Sequence, residues 1–337
     1  MTNAPIDPLA IIELTNLKAA GKLKELAAHP ALSMKPEWIG ELARNKDYEV
    51  RYQLARNSAL AISPATIQTL VSDKDWGVLY YLARNPAIET FPEIFKKLAK
   101  NRVTNVRQAL AQNPAIATNP DVMKRLTTDK TWIVRYNLSQ NPALANIPGT
   151  VATLAVDKDP KVRSGLSSNP ALANYPEVIT LLALDKAPAV RTWLAKNPAL
   201  ANYPDIIERL AVDKDWSVRR WLADTRVLAK CPKAIQALTA DDDRHVRIAL
   251  AANPALASNP ESVERLATDK DPDVRYNLSQ NPALANCPEV IQTLATDKNP
   301  NVRDALAKNP AIPSSTASTN PWQTTQPATS MPTTHLH

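Results

Sequence analysis

Apolar and polar residues follow one pattern along this chain, and the pattern returns every 28 residues. Most repeats contain an Asn-Pro step, with the variants His29-Pro30, Asn57-Ser58 and Thr225-Arg226, and a short segment such as Ala-Leu-Ala. A further proline and two stretches in which Leu, Ile, Val and Ala recur at helical spacing complete the pattern. A strict period of this length is typical of repeat arrays, in which each unit packs mainly on its neighbours. The Asn of the step recurs at Asn85, Asn113, Asn141, Asn169, Asn197, Asn253, Asn281 and Asn309.

Two segments of each repeat have the apolar spacing of an α-helix. The first begins at a proline, such as Pro176, and places Ile179 and Leu182 on one apolar stripe. The second follows an Asp-Lys-Asp turn, whose carboxylates are suited to cap a helix, and it contains the apolar pair Val162 and Leu166. We therefore predict an all-α fold, a right-handed-type α-solenoid of about eleven 28-residue two-helix repeats.

The repeat pattern also predicts how the chain is divided. Residues 1–28 form a degenerate N-terminal capping repeat, because Leu17 and Leu23 replace the Asp and Arg of later units. Residues 29–311 form ten fuller repeats. Residues 312–337 are rich in Ser, Thr and Pro and contain no Lys, Arg, Asp or Glu, so we predict a disordered tail in which Trp322 is the only Phe, Trp or Tyr.

Charge and cysteine content narrow the function classes. The net charge of +7 is a mild bias towards anionic partners. Cys231 and Cys287 lie two repeats apart, too far for a disulfide in a stack of helices, which favours a reduced, cytoplasmic protein. No apolar run has the length needed to span a membrane, so we expect no membrane segment. The four histidines lack metal-ligand spacing, and we find no glycine-rich phosphate loop or activated nucleophile. We therefore expect no enzyme activity, no cofactor and no metal.

Two sequence segments resemble known repeat families. The segment DKDWSVRRWLA at 213–223 is similar to HEAT-like repeats, and the wider unit NPALANYPEVITLLA at 169–183 resembles the leucine-rich repeat variant (LRV) family. The resemblance covers about residues 29–311 and implies a superhelix whose inner surface binds protein or nucleic acid. Variant repeats are shorter than these, so here we expect both segments to be α-helical. The iron–sulfur cysteine cluster of one family member is absent, so that cofactor is not implied.

Numbering each residue by its position in the 28-residue repeat places Asp at position 17 and Arg at position 23 in most units. The exceptions are Leu79, Asn45 and Asn101. Phosphate binding is one interpretation of this row of arginines. The other is implied by the HEAT-like resemblance: Asp and Arg join successive turns, which we favour because partly buried charges need partners. The predicted structural ladder is Asp157, Arg163, Asp185, Arg191, Asp213 and Arg219.

Basic residues at position 18, such as Lys130 and Lys158, allow two interpretations. They form either a solvated rim or an electrostatic track for a polyanion. We favour the rim, because Asp residues at positions 17 and 19 neutralise much of the positive field.

Aromatic residues concentrate at positions 20 and 24 of the second helix, which lie on one face with position 28, and at the neighbouring position 25. Tyr48, Tyr52 and Tyr81 belong to this set. Such a face suits base stacking, cation–π contacts or anchoring of a protein partner, and packing on the next repeat is an equal alternative. The predicted binding residues are Trp76, Tyr80, Arg84, Trp132, Tyr136, Trp193, Trp216, Arg220 and Trp221.

These patterns favour a monomeric, noncatalytic scaffold or adaptor that binds a protein or peptide on the aromatic and basic face of its second helices. A nucleic-acid-binding solenoid is the alternative. A third and more distant interpretation comes from a cluster similar to the tryptophan-and-aspartate surface of HEAT-like alkylpurine DNA glycosylases, formed by Trp193, Trp216, Arg220, Trp221 and Asp224. Only this loose cluster supports glycosylase activity, because a shared fold is weak evidence of function.

Overall fold

Residues 7–312 are described by the computed structural model, and that range contains helices and short turns but no strand. A full repeat consists of a 3-10 helix, a first α-helix and a second α-helix. The twenty-two α-helices of the described range form eleven pairs, so the predicted all-α repeat fold is confirmed. The predicted tail, including Trp322, lies outside the described residues except for its first residue.

The described part of the chain divides into two compact units, which meet in the sequence between residues 199 and 200. In the first unit, the first helices of the repeats are α1 (Pro8–Ala19), α3 (Pro36–Ala43), α5 (Pro64–Leu70), α7 (Pro92–Ala99), α9 (Pro120–Thr127), α11 (Pro148–Ala155) and α13 (Pro176–Ala183). The second helices are α2 (Leu23–Ala28), α4 (Tyr48–Arg56), α6 (Trp76–Arg84), α8 (Thr104–Ala111), α10 (Trp132–Ser139), α12 (Pro160–Ser167) and α14 (Pro188–Ala195).

Between the helix pairs of this unit, the segments that follow the Asn-Pro step form short 3-10 helices. They are η1 (Pro30–Met34), η2 (Ser58–Ile62), η3 (Pro86–Ile88), η4 (Pro114–Thr118), η5 (Pro142–Asn146) and η6 (Pro170–Asn174), while η7 (Pro198–Asn202) includes the residues at which the two units meet in the sequence.

The second unit contains four helix pairs of the same kind. Its first helices are α15 (Pro204–Ala211), α17 (Pro232–Thr239), α19 (Pro260–Ala267) and α21 (Pro288–Ala295). Its second helices are α16 (Trp216–Ala223), α18 (Arg244–Ala251), α20 (Pro272–Ser279) and α22 (Pro300–Ala307). Its 3-10 helices are η8 (Arg226–Lys230), η9 (Pro254–Ser258) and η10 (Pro282–Asn286).

Within each unit, elements of the same kind stack on each other. In the first unit α10 packs on α12, α11 on α13 and η5 on η6, which makes three parallel columns. Each column directs a leucine into a shared core, and Leu144, Leu154 and Leu166 are fully buried. Because burying a leucine side chain contributes about 1.5–3 kcal/mol, these repeated leucines hold the columns together.

Local chain chemistry explains where the helices begin. The residue before the proline of a first helix is extended, as at Tyr175, where φ is −133° and ψ is 69°. Pro176 then opens a helix of eight residues. A second helix is capped by a carboxylate: Asp159 accepts a hydrogen bond from the Lys161 N–H at 2.9 Å.

The asparagine of the Asn-Pro step joins each 3-10 helix to the preceding repeat. Asn141 Oδ1 accepts from the Ala143 N–H at 2.9 Å, while its Nδ2 donates to the carbonyls of Ala111 at 2.7 Å and Asn113 at 3.1 Å. The side chain therefore caps its own 3-10 helix and binds backbone carbonyls of earlier repeats. No described residue other than glycine has a positive φ.

Candidate functional site

The arginine at position 23 forms a paired hydrogen bond with the Asp at position 17 of the next repeat. Arg135 donates from Nε to Asp157 Oδ2 at 2.6 Å and from Nη2 to Oδ1 at 2.9 Å, and its Nη1 donates to the Asp129 carbonyl at 2.7 Å. The two side chains are 6% and 8% exposed. Burial acts to raise the pKa of Asp157, but the hydrogen bonds from Arg135 and from the Asp159 N–H outweigh it and lower that pKa.

The same geometry recurs along each unit. Of the other predicted ladder residues, Arg191 donates from Nη1 to the Asp185 carbonyl and Arg219 donates to the Asp213 carbonyl, both at 2.6 Å. The remaining Arg–Asp pairs join Arg51 to Asp73, Arg107 to Asp129, Arg163 to Asp185, Arg219 to Asp241, Arg247 to Asp269, and Arg275 to Asp297. These arginines direct their donors at protein acceptors.

The exceptions to the ladder occur in pairs. Each ladder arginine meets an Asp that follows it by 22 residues, as Arg135 and Asp157 show. The residue 22 positions after Leu79 is Asn101, and the residue 22 positions after Leu23 is Asn45. Where the arginine is absent, its partner has lost its charge as well. The sequence contained this signal, but the 22-residue spacing becomes meaningful only once the contact is known.

Aromatic side chains of α4 and α6 line an open groove of about 690 Å³. Tyr48 and Trp76 are 52% and 49% exposed on its surface. The groove is lined by Tyr48, Tyr52, Asp75, Trp76, Gly77, Tyr80, Tyr81, Asn105 and Gln108. We call this feature the aromatic groove.

Its aromatic rings support one another. The ring centroids of Tyr52 and Tyr81 are 4.4 Å apart with planes at 78°, and those of Tyr80 and Tyr81 are 4.9 Å apart at 77°. Such edge-to-face pairs are favoured by the charge distribution of the rings. The guanidinium carbon of Arg56 lies 5.2 Å from the Tyr81 centroid, and that of Arg84 lies 5.9 Å from Tyr80. These cation–π contacts add positive charge beside the groove.

Gly77 keeps the aromatic groove open. An aromatic residue at position 20 is contacted by the side chain at position 21 of the next repeat. Lys161 Nζ, for example, lies 4.3 Å from the Trp132 ring centroid. Next to Tyr48 the residue at position 21 is Gly77. A Cβ there would already approach Tyr52 Cδ2 at 4.0 Å and Asp75 Oδ1 at 3.0 Å. A longer side chain at this site would therefore extend into the groove.

The other predicted binding residues of the first unit lie apart from this groove. The Trp132 and Tyr136 rings are 6.1 Å apart, and a Cβ on Gly165 would come within 3.0 Å of the Tyr136 ring, so Tyr136 packs on the next repeat. Trp193 is 45% exposed, with Lys196 Nζ 4.7 Å from its ring centroid. Tyr136 therefore fits the packing alternative, whereas the exposure of Trp193 leaves the binding alternative open for that residue.

The predicted face is therefore discontinuous within the first unit. On α8, Thr104 and Gln108 occupy the positions at which aromatic residues occur elsewhere, and on α12 Pro160 and Ser164 do so. In the second unit, the rings of Trp216 and His245 are 5.8 Å apart. The Arg220 guanidinium there lies 4.6 Å from the Trp221 ring centroid.

The groove residues Asp75, Gly77, Asn105 and Gln108 are missing from the residues predicted from the sequence. That prediction used positions 20, 24, 25 and 28, whereas Asp75 occupies position 19 and Gly77 and Asn105 occupy position 21. Gln108 occupies position 24 but is not aromatic, so it gave no signal.

No protein-family model and no curated protein matches this chain. Solved structures do match. One, described as a leucine-rich repeat variant with a novel repetitive structural motif, is 19% identical with a TM-score of 0.49, over 71% of this chain and 88% of that one. YibA of Escherichia coli is 15% identical with a TM-score of 0.31, over 91% of this chain and 100% of its own. A designed armadillo repeat protein, solved with the peptide (KR)4, is 15% identical with a TM-score of 0.14, over 81% and 96% of the two chains.

Residues 7–312 also bear on metal binding, membrane insertion and thiol chemistry. No group of three or more His, Cys, Asp or Glu side chains in that range could hold a metal ion. None of the helices described there combines the length and apolar character needed to cross a membrane. Cys231 and Cys287 are free thiols, and burial raises the pKa of both.

Proposed function

We propose that the chain is a noncatalytic scaffold that binds a protein or peptide segment in the aromatic groove. The observation that supports this proposal is the groove itself, in which Tyr48 and Trp76 remain about half exposed beside the packed rings of Tyr52, Tyr80 and Tyr81. Partly exposed aromatic residues around an open groove are typical anchors for a partner side chain. As part of the proposal, the scaffold is a cytoplasmic monomer.

The groove favours a particular kind of segment. Its rings offer apolar surface, and Asp75 already caps α6 by accepting from the Gly77 N–H at 2.8 Å. Arg56 and Arg84 stack on the groove tyrosines, and among the described residues neither forms an ion pair. We therefore expect a peptide that inserts an aromatic or aliphatic side chain and places a carboxylate next to it.

Peptide selection against the full chain tests this proposal. Peptides from a random library would be selected on the wild-type protein, and their Kd values measured with wild type, Trp76→Ala and Gly77→Lys. We expect Trp76→Ala to weaken binding about thirtyfold, equivalent to about 2 kcal/mol, as for a typical interface anchor. Gly77→Lys should weaken it at least about tenfold by filling the groove.

Gly149→Lys is the matched control, because a Cβ at Gly149 meets no atom within 4 Å. It adds the same side chain and charge far from the groove, so binding should not change. Selected peptides that bind all three variants as well as wild type would exclude the groove as the binding site.

Nucleic-acid binding in the same groove is the second candidate. The observation that favours it is the arrangement of arginines over tyrosine rings beside the exposed Trp76, because single-stranded nucleic acid binds to stacking rings and cations together. Titration with labelled single-stranded and duplex DNA and RNA at two salt concentrations separates the candidates. Binding that weakens with salt and is lost in Trp76→Ala would support nucleic acid over peptide.

A further inference from the structure

A second cleft, of about 570 Å³, lies at the inter-helix turns of the repeats spanning residues 85–112 and 113–140. It shares no lining residue with the aromatic groove. We call it the basic cleft, and its lining residues are Lys100, Asn101, Arg102, Arg107, Arg125, Thr128, Asp129 and Lys130.

Most of the positive side chains in the basic cleft form no ion pair with another described residue. Asp129 is the only carboxylate of the lining, and Arg107 already holds it through bonds of 2.6 and 3.1 Å. Lys100, Arg102, Arg125 and Lys130 are exposed, and none of them forms an ion pair with another described residue. Arg125 uses its Nε to donate to the Ala99 carbonyl at 2.9 Å. Four unpaired cations therefore line one cleft.

This concentration of charge is a local departure from the repeat. In the other repeats from residue 29 onward, at least one of positions 17 and 19 is Asp, whereas this turn has Asn101 and Val103 on either side of Arg102. Residues 85–140 contain nine Lys or Arg and four Asp or Glu, an excess of five positive charges, against +7 for the whole chain. The neutralising acids that made a solvated rim the favoured interpretation are therefore absent on both sides of Arg102.

The gap in the ladder explains how the fold tolerates this change. Leu79 has no group that could donate a hydrogen bond to a carboxylate at residue 101. A buried Asp at residue 101 would therefore lack the arginine partner that the equivalent Asp has in other repeats. Asn101 keeps the remaining structural role, since its Oδ1 accepts from the Val103 N–H at 2.8 Å. The turn is preserved, and only its negative charge is lost.

We propose that the basic cleft is a binding site for an anion with two or more adjacent phosphate groups. Guanidinium groups match phosphate oxygens in a forked geometry, and lysines add point charge. Four unpaired cations along the cleft exceed the charge of a single phosphate. Free oligophosphate and the backbone of single-stranded nucleic acid share this chemistry, and the experiment below distinguishes them.

Calorimetric titration of the full chain with sodium tripolyphosphate tests the site. We expect saturable binding that weakens as salt increases. Arg102→Gln and Arg125→Gln should each raise the Kd about fivefold or more. Val103→Asp should do the same, because it restores the carboxylate that flanks position 18 in other repeats, at a backbone conformation (φ −76°, ψ 120°) close to that of Asp159 (φ −90°, ψ 120°).

The control variant is Lys158→Gln, which removes the same charge between Asp157 and Asp159. Its Kd should stay within about twofold of wild type, and so should that of Trp76→Ala, which separates this site from the aromatic groove. Absence of tripolyphosphate binding at low salt, or an equal loss in Lys158→Gln and Arg102→Gln, would overturn the proposal.

A second titration identifies the source of the phosphates. A single-stranded oligonucleotide that competes with tripolyphosphate, and loses affinity in Arg102→Gln, would identify a nucleic-acid backbone as a ligand of the cleft. If tripolyphosphate binds and the oligonucleotide does not compete, the ligand class is free oligophosphate.

Discussion

Two junctions of the first unit solve the same packing problem differently. Between the repeats that contain Arg135 and Asp157, a buried ion pair joins the second helix to the next turn. Between the repeats that contain Leu79 and Asn101, an apolar side chain and an amide replace it. The asparagine bonds continue across both junctions, since Asn113 still donates to the Ala83 carbonyl at 2.8 Å. The ion pair can therefore be omitted when both of its residues change together.

The junction without the Arg–Asp ion pair is also where the sequence departs from the common repeat pattern. Gly77 opens the aromatic groove on one side of it. Arg102 and Val103 help to define the basic cleft on the other side. A residue freed from the ladder can change without leaving a buried charge unpaired.

Breaking one intact pair should have the largest effect. Arg135→Leu leaves Asp157 buried without its partner, and we expect a loss of about 3–5 kcal/mol in the free energy of unfolding. The double variant Arg135→Leu with Asp157→Asn reproduces the combination found at Leu79 and Asn101, so it should lose only about 1 kcal/mol. Urea denaturation of Arg135→Leu, Asp157→Asn and the double variant gives the coupling energy between the two residues. Additive losses would show that the paired replacement at the natural gap is coincidental.

Removing one step asparagine should have the next largest effect. Asn141→Ala deletes three hydrogen bonds and leaves buried backbone groups without partners, which should cost about 2–4 kcal/mol. Asn146→Ala is the control, because that side chain is exposed at the end of the same 3-10 helix. Chemical denaturation of both variants checks the prediction, and equal stabilities would contradict a structural role for the step.

Acidification should weaken the intact junctions and spare the natural gap. Hydrogen bonds from arginine and backbone N–H groups outweigh burial and lower the pKa of Asp129, Asp157, Asp185 and Asp297 in the folded state. Their contribution to stability is present above the ordinary Asp pKa of about 3.9 and is lost as the pH falls through the lower folded pKa values.

Denaturation between about pH 5 and pH 2 measures this effect. Replacing one pair by Arg135→Leu with Asp157→Asn should reduce the pH slope of stability by at most about 1.4 kcal/mol per pH unit, which corresponds to one proton. An unchanged slope would mean that Asp157 does not contribute to acid unfolding.

Adding a missing helix cap should have the smallest effect on stability. Val103→Asp gives α8 the capping carboxylate that Asp159 supplies to α12, and we expect a gain of about 1 kcal/mol. Ala187→Asp makes the same change at α14, outside the basic cleft. Thermal denaturation should show similar gains for both variants, whereas only Val103→Asp should weaken tripolyphosphate binding. A loss of stability in Val103→Asp would show that the two helix starts are not equivalent.

Much of the fold could be predicted because its signals are local. The proline at Pro176, the capping residue at Asp159 and the apolar spacing of Ile179 and Leu182 act within a few residues, so the sequence identified eleven helix pairs. The division into a capping repeat, ten repeats and a tail stays a prediction, as do the predicted binding residues. The aromatic groove could not be predicted in full, because Gly77 and Gln108 line it only once neighbouring repeats are placed side by side.

The sequence by itself determined the 28-residue period, the positions of helices within it and the presence of matching Asp and Arg rows. Tertiary structure decided which partners meet. Arg135 reaches an Asp 22 residues away, and Lys161 covers Trp132 across 29 residues. The physical reason is that helix starts depend on the chain's own dihedrals and caps, whereas ion pairs, open rings and unpaired cations depend on which side chain the next repeat places opposite.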